Sequence, residues 1–148
     1  MRFLRTTSVA RLAQLTVLWG VVFAVVHAYW AAGGDAGTNG DPADTLGAQT
    51  YIAFIAVLGL AGAAVARGLA RGSRRRTLIL LARAGGAALL LGVVVGTGRW
   101  LADWSLDGDG AAGIAITLYF LLGGLLFSTL GWRADTPRLP QARAATVR

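Results

Sequence analysis

The chain contains no cysteine. Disulfides, thiolate metal sites and cysteine nucleophiles are therefore excluded. Lysine and glutamate are missing as well: all fourteen basic residues are arginine and all seven acidic ones aspartate. Together with abundant Ala and Gly, this pattern matches the coding bias of a GC-rich bacterial genome and carries no chemistry of its own. There is one histidine, His27, so no second His or Cys can join it on a metal or haem within one chain. Charged residues make up 14% of 148, against about 25% in a soluble domain. Long stretches carry no charge at all, where a soluble helix would show a polar face.

What is present is apolar. Hydrophobic residues are 55% of the chain and the mean hydropathy is +0.60. A membrane-spanning helix needs roughly 20 mostly apolar residues. Four segments qualify, from about Leu12 to Ala32, Ala48 to Ala66, Leu78 to Leu101 and Ala111 to Trp132. The runs are too long and too continuous for barrel strands, which alternate over about ten residues. The expected fold is an all-α membrane protein, a four-transmembrane-helix bundle formed by one domain over residues 1–135. Residues 136–148, with Pro137 and Pro140, read as a disordered tail. The Gly- and Asp-rich stretch from Gly33 to Gly47 reads as a solvated, mobile loop.

Orientation follows from the arginines. Arg2, Arg5 and Arg11 precede the first span. Arg67, Arg71, Arg74, Arg75 and Arg76 lie between the second and third, and Arg133, Arg138, Arg143 and Arg148 follow the fourth. The other two connections hold Asp35, Asp41, Asp44, Asp103, Asp107 and Asp109, with Arg99 as the single basic residue near them. This split predicts both termini in the cytoplasm and a multi-pass protein of the inner (plasma) membrane. It also explains the sequence pI of about 11.5 without nucleic-acid binding. The first apolar run is long for a cleaved signal peptide and ends in aromatic residues. Tyr29, Trp30, Tyr51, Trp100 and Trp104 fall at the outer boundary and Trp132 at the inner one, as anchors would. No internal repeat is visible, so the inverted-repeat transporter signature is missing.

Helices in lipid associate through close backbone approach. The third span carries Gly92-Val-Val-Val-Gly96, and Gly85, Ala88, Gly92 and Gly96 share one helical face. The expectation is that this face packs inside the bundle, or else forms a homodimer, and that Gly96→Leu destabilises the protein. Gly59, Gly62 and Ala63 in the second span, and Gly123 and Gly124 in the fourth, offer similar contacts.

Ionisable groups inside a membrane are candidates for function. His27 lies roughly 7 Å below the outer end of the first span by the helical rise. It shares a face with Gly20, Phe23, Trp30 and Gly34. Two readings stay open: a neutral imidazole bonded to a neighbouring helix, or a group that contacts ligand or exchanges protons. Arg99 and Asp103, four apart, can meet on one face. They form either an interfacial salt bridge or part of a polar site with His27 and Tyr51. Arg83, about 9 Å inside the inner boundary, can snorkel back to the headgroups or bind a lipid phosphate. Polar residues otherwise concentrate in the outer half, where Gln49, Thr50, Tyr51, Thr117 and Tyr119 share the level of His27. The expected ligand site is an outward-facing pocket of His27, Trp30, Tyr51, Arg99, Asp103 and Tyr119.

The stretch Leu18 to Gly34, LWGVVFAVVHAYWAAGG, resembles the start of a bacterial family of four-span membrane proteins known as a domain of unknown function. That family carries His-x-Tyr-Trp-Ala-x-Gly-Gly in its first helix. The corresponding residues here are His27, Tyr29, Trp30, Ala31, Gly33 and Gly34. The resemblance implies a fold and no activity. The expected function is non-catalytic: binding a lipid, a small hydrophobic ligand or a membrane partner in the outer pocket, without cofactor or metal. Expected partners are membrane lipids and a membrane protein or second copy of the chain. Two alternatives remain. One is a small transporter or transporter subunit, although the absence of any mid-membrane carboxylate counts against proton-coupled export. The other is an intramembrane enzyme using His27 with Arg99 or Asp103.

Overall fold

In a bilayer core no water is present to satisfy backbone N–H and C=O groups, so an apolar run must close its hydrogen bonds within itself. Each of the four runs accordingly forms one long helix. The computed structural model describes residues 2–36, 45–73, 75–102 and 110–136, with side chains over 9–36, 45–73, 75–98 and 114–136. Helix α1 spans Arg2–Ala31, α2 Leu46–Ala70, α3 Arg76–Ala102 and α4 Gly110–Asp135. Among the described residues there is no strand. All four helices are long and apolar enough to cross a membrane. The protein is a multi-pass, all-α membrane protein built as a four-helix bundle.

The helices overrun the apolar runs that define them. Helix α2 continues past Arg67 to Ala70, and α4 continues past Arg133 to Asp135, because a helix need not stop where the hydrocarbon does. Helix α2 starts on Thr45, whose hydroxyl accepts from the Ala48 N–H at 3.2 Å and satisfies one of the donors that a helix start leaves open. It ends on Gly72, at φ 81°. The N–H groups of Gly72 and Ser73 close back onto the carbonyls of Leu69 and Gly68, a glycine-terminated C-cap. Most of the loop expected to be mobile and all of the tail beyond Thr136 lie outside the described residues.

Helices α1 and α2 form one antiparallel pair and α3 and α4 the other. The two pairs join mainly through α1 on α4 and α2 on α3, with α1 and α3 on the diagonal. Small residues set the spacing within each pair. On α1 and α2, the seam is Ala13, Thr16, Gly20 and Ala24 against Ala56, Gly59, Ala63 and Ala66, all buried. A Cβ added to Gly20 would lie 3.0 Å from the Gly59 carbonyl oxygen. Thr16, fully buried, keeps its hydroxyl satisfied on the Leu12 carbonyl at 2.8 Å. On α3 and α4, Gly86 lies against the backbone of Gly124 and Ser128, and Leu90 fills the space over Gly124. Gly62 and Gly123 make room for the rings of Phe127 and Trp19.

The expected packing face of α3 is not the one used inside the bundle. Gly92 and Gly96 are exposed, and a Cβ at Gly85, Gly92 or Gly96 would meet nothing within 4 Å. The buried stripe runs through Ile79, Ala82 and Gly86 instead. Two glycine stripes compete on this helix, and spacing alone does not rank them. The Gly86 stripe carries Leu90, which interdigitates with Gly124. The Gly92–Gly96 stripe is flanked by Leu91, Val94 and Val95, which lipid solvates as well as protein does.

Candidate functional site at the C-terminal end of the first helix

Helix α1 carries an aromatic ladder on its buried face. Trp19 stacks on Phe23 with centroids 5.0 Å apart, Phe23 stacks on His27 at 4.0 Å, and Trp30 meets His27 edge-on at 5.0 Å. The spacing of three and four residues puts these side chains one above another. At its Trp19 end the ladder is fixed to α4 by a reciprocal pair. The Trp19 indole N–H donates to the Tyr119 carbonyl at 3.0 Å, and the Tyr119 hydroxyl donates to the Trp19 carbonyl at 3.1 Å. Both rings also stack at 5.0 Å. Two large side chains thereby leave no indole or phenol donor unpaired in the membrane.

The Trp30 end of the ladder is held by the helix terminus. Gly33 has φ 88°, a region closed to most L side chains. Its N–H donates to the Trp30 carbonyl and that of Gly34 to the Tyr29 carbonyl, both at 3.0 Å. This is the double bond set of a Schellman cap. The Tyr29 ring lies directly over Gly34, where any Cβ would collide with it. The Tyr29 hydroxyl accepts from the Ala36 N–H at 3.4 Å and reaches the Asp35 carboxylate at 3.5 Å. The Trp30 indole donates to the Ala36 carbonyl at 2.8 Å. The Tyr-Trp-Ala-x-Gly-Gly segment is therefore a helix-ending device: both glycines are needed by geometry, and both aromatics clasp the turn they start.

His27 is half-buried. Its Nδ1 lies 2.8 Å from the Phe23 carbonyl, one turn back on its own helix. A carbonyl only accepts, so Nδ1 carries the proton. In the neutral ring Nε2 is then a bare acceptor. The expected bond from another helix is not formed among the described residues, because the intrahelical carbonyl is already within reach. Trp30 is brought to His27 as expected. Tyr119 lies one layer deeper, against Phe23 at 6.3 Å, with its hydroxyl committed to Trp19. Tyr51 is exposed on α2 and takes no part in the bonds that hold His27. The Arg99 side chain and Asp103 lie outside the described residues. No group of three or more His, Asp or Glu suited to a metal occurs among the described residues.

Two features escaped the sequence reading. Trp19 sits twelve residues before the end of α1, far from the interface that Trp favours, and that depth was the available signal. Arg83 pairs with Asp135, Nη2 to Oδ2 at 2.7 Å. Asp135 is the single acidic residue on the arginine-rich side, and its isolation was the clue. Comparison with protein families, with curated proteins and with solved structures gives no match.

Proposed function

We propose that this is a non-catalytic protein of the bacterial inner membrane, with both termini in the cytoplasm. It binds a lipid or small hydrophobic ligand in its outer half, beside His27 and Trp30. The arginine distribution supports the orientation, and the resemblance of the first span supports the bacterial setting. The observation that carries the site is the His27 ring, clamped by Phe23, Trp30 and its own helix, with Nε2 left as an acceptor. A ligand that satisfies it is apolar with one hydroxyl or N–H donor. A catalytic role would need a second group to exchange the proton; among the described residues Tyr119 is engaged with Trp19, and the Arg99 side chain and Asp103 lie outside them.

The test is purification in a mild detergent followed by mass spectrometry of the small molecules that stay bound. His27→Phe keeps the stacking surface and removes the acceptor. The expected result is a species retained by the wild type and lost from the variant, at an unchanged melting temperature. Equal retention by both proteins, or nothing retained by the wild type, would exclude the site.

A further inference from the structure

The other end of the bundle holds a second polar cluster, remote from His27. Arg83 lies seven residues into α3, roughly 10 Å along the axis. Gly131, buried opposite, has no side chain, so the arginine stem lies directly on the α4 backbone, where a Cβ would come within 2.8 Å of Cγ. The guanidinium Cζ sits 4.7 Å from the centre of the Trp132 ring. Nη2 is bonded to Asp135, which is half exposed, while Nε is buried and has no partner among the described residues. Two clefts, each of about 280 Å³, flank this group. Ser128 and Thr129 line one, Asp135 and Thr136 line the other, and Arg83 and Trp132 line both.

A guanidinium has five N–H donors in a planar fork, and a single carboxylate contact leaves most of them unused. The fork matches the oxygens of a phosphate bidentately. The indole is a side chain of the lipid–water interface, and the Ser128 and Thr129 hydroxyls of the first cleft add donors. Arg133 in the last turn of α4 and Arg76 at the start of α3 add positive charge at the same end. We propose that this cleft binds the phosphate ester of a phospholipid headgroup, held by Arg83 against Trp132, and that Asp135 is its intramolecular competitor. With the cleft empty, Asp135 neutralises the guanidinium. A headgroup phosphate takes over the fork and releases the carboxylate to solvent. The site does not depend on the ligand proposed for His27.

The competition sets opposite signs for two variants. Phosphatidylglycerol is titrated into the detergent-purified chain and adducts are counted by native mass spectrometry. Arg83→Gln removes the fork and weakens binding by about tenfold or more, the cost of losing hydrogen bonds to a charged group. Asp135→Asn removes the competitor and strengthens binding several-fold. A salt bridge that only ties α3 to α4 gives a different pattern, with both variants destabilised alike and lipid binding unmoved, and would overturn the proposal. If Arg83→Gln does not fold, the Asp135→Asn titration decides alone: unchanged or weaker binding overturns it. Inorganic phosphate is run as a competitor. Displacement of the lipid by phosphate at millimolar concentration would identify a soluble phosphate site and overturn the lipid assignment.

Discussion

Gly86→Leu is expected to abolish the native packing of α3 on α4, while Gly92→Leu and Gly96→Leu on the same helix are expected to leave stability unchanged. At Gly86 the first added carbon already lies 2.7 Å from the Ser128 backbone nitrogen and 3.0 Å from the Gly124 carbonyl oxygen. Backbone atoms within a helix cannot rotate away as a side chain can, so the helices themselves must separate. Separation strips contacts along the whole seam, from Ile79 on Gly131 to Leu90 on Gly124. In lipid no hydrophobic gain compensates for that loss. The cost is about 3 kcal/mol or more, the upper end of what overpacking does in a close-packed core. At Gly92 and Gly96 a leucine meets open space and only replaces one lipid contact by another. Detergent melting curves of the three variants check this. A drop for Gly96→Leu without one for Gly86→Leu would mean that the other stripe faces the bundle.

Trp19→Ala is expected to be the most damaging truncation on α1. The ring is 6% exposed and contacts Phe23, Tyr119 and Phe127, with Gly123 shaped to receive it. In water-soluble cores Trp→Ala costs about 3–5 kcal/mol, part transfer and part cavity. Lipid removes most of the transfer part, because an exposed apolar group is not penalised there, but the cavity and its lost contacts remain. The loss should therefore fall near 3 kcal/mol, the low end of that range. Trp19→Phe separates packing from hydrogen bonding. It keeps a ring in the stack but loses the donor to Tyr119, on the order of 0.6 kcal/mol for an interhelical bond in a membrane, together with the part of the indole that fills the space over Gly123. Its shift should therefore be smaller than that of Trp19→Ala. The ratio of the two melting shifts is the measurement. Equal shifts would place the stability in the hydrogen bond, against the packing argument.

These two residues mark where the sequence was legible. The four spans could be read because length and hydropathy are imposed by the bilayer itself. Gly59, Gly62, Gly123 and Gly124 could be read as contact points, and so could the shared face of Gly20, Phe23 and His27, since helical spacing alone fixes it. The choice between Gly86 and the Gly92–Gly96 stripe could not, because it depends on the shape of α4 opposite. Among the described residues, the bond that His27 makes differs from the expected one for a related reason. An unpaired imidazole in lipid does need a bond, but the Phe23 carbonyl on the same helix supplies it at no cost in geometry. Tyr119 lies a layer deeper than the level of His27 that its place in the fourth span suggests, since its hydroxyl bonds the Trp19 carbonyl. Arg83 reaches along α4 to its last residue. The nearest polar group along that path is Asp135, because α4 runs past the apolar core and carries the carboxylate to it.

The orientation of the whole bundle is tested most directly by labelling. The chain has no native cysteine, so single cysteines can be placed at Ala36, Ser73, Gly110 and Thr136 and exposed in intact cells to a membrane-impermeant maleimide. Both termini in the cytoplasm requires labelling at 36 and 110, with protection at 73 and 136 until the cells are permeabilised. Labelling at 73 and 136 with protection at 36 would reverse the orientation and move His27 to the inner face.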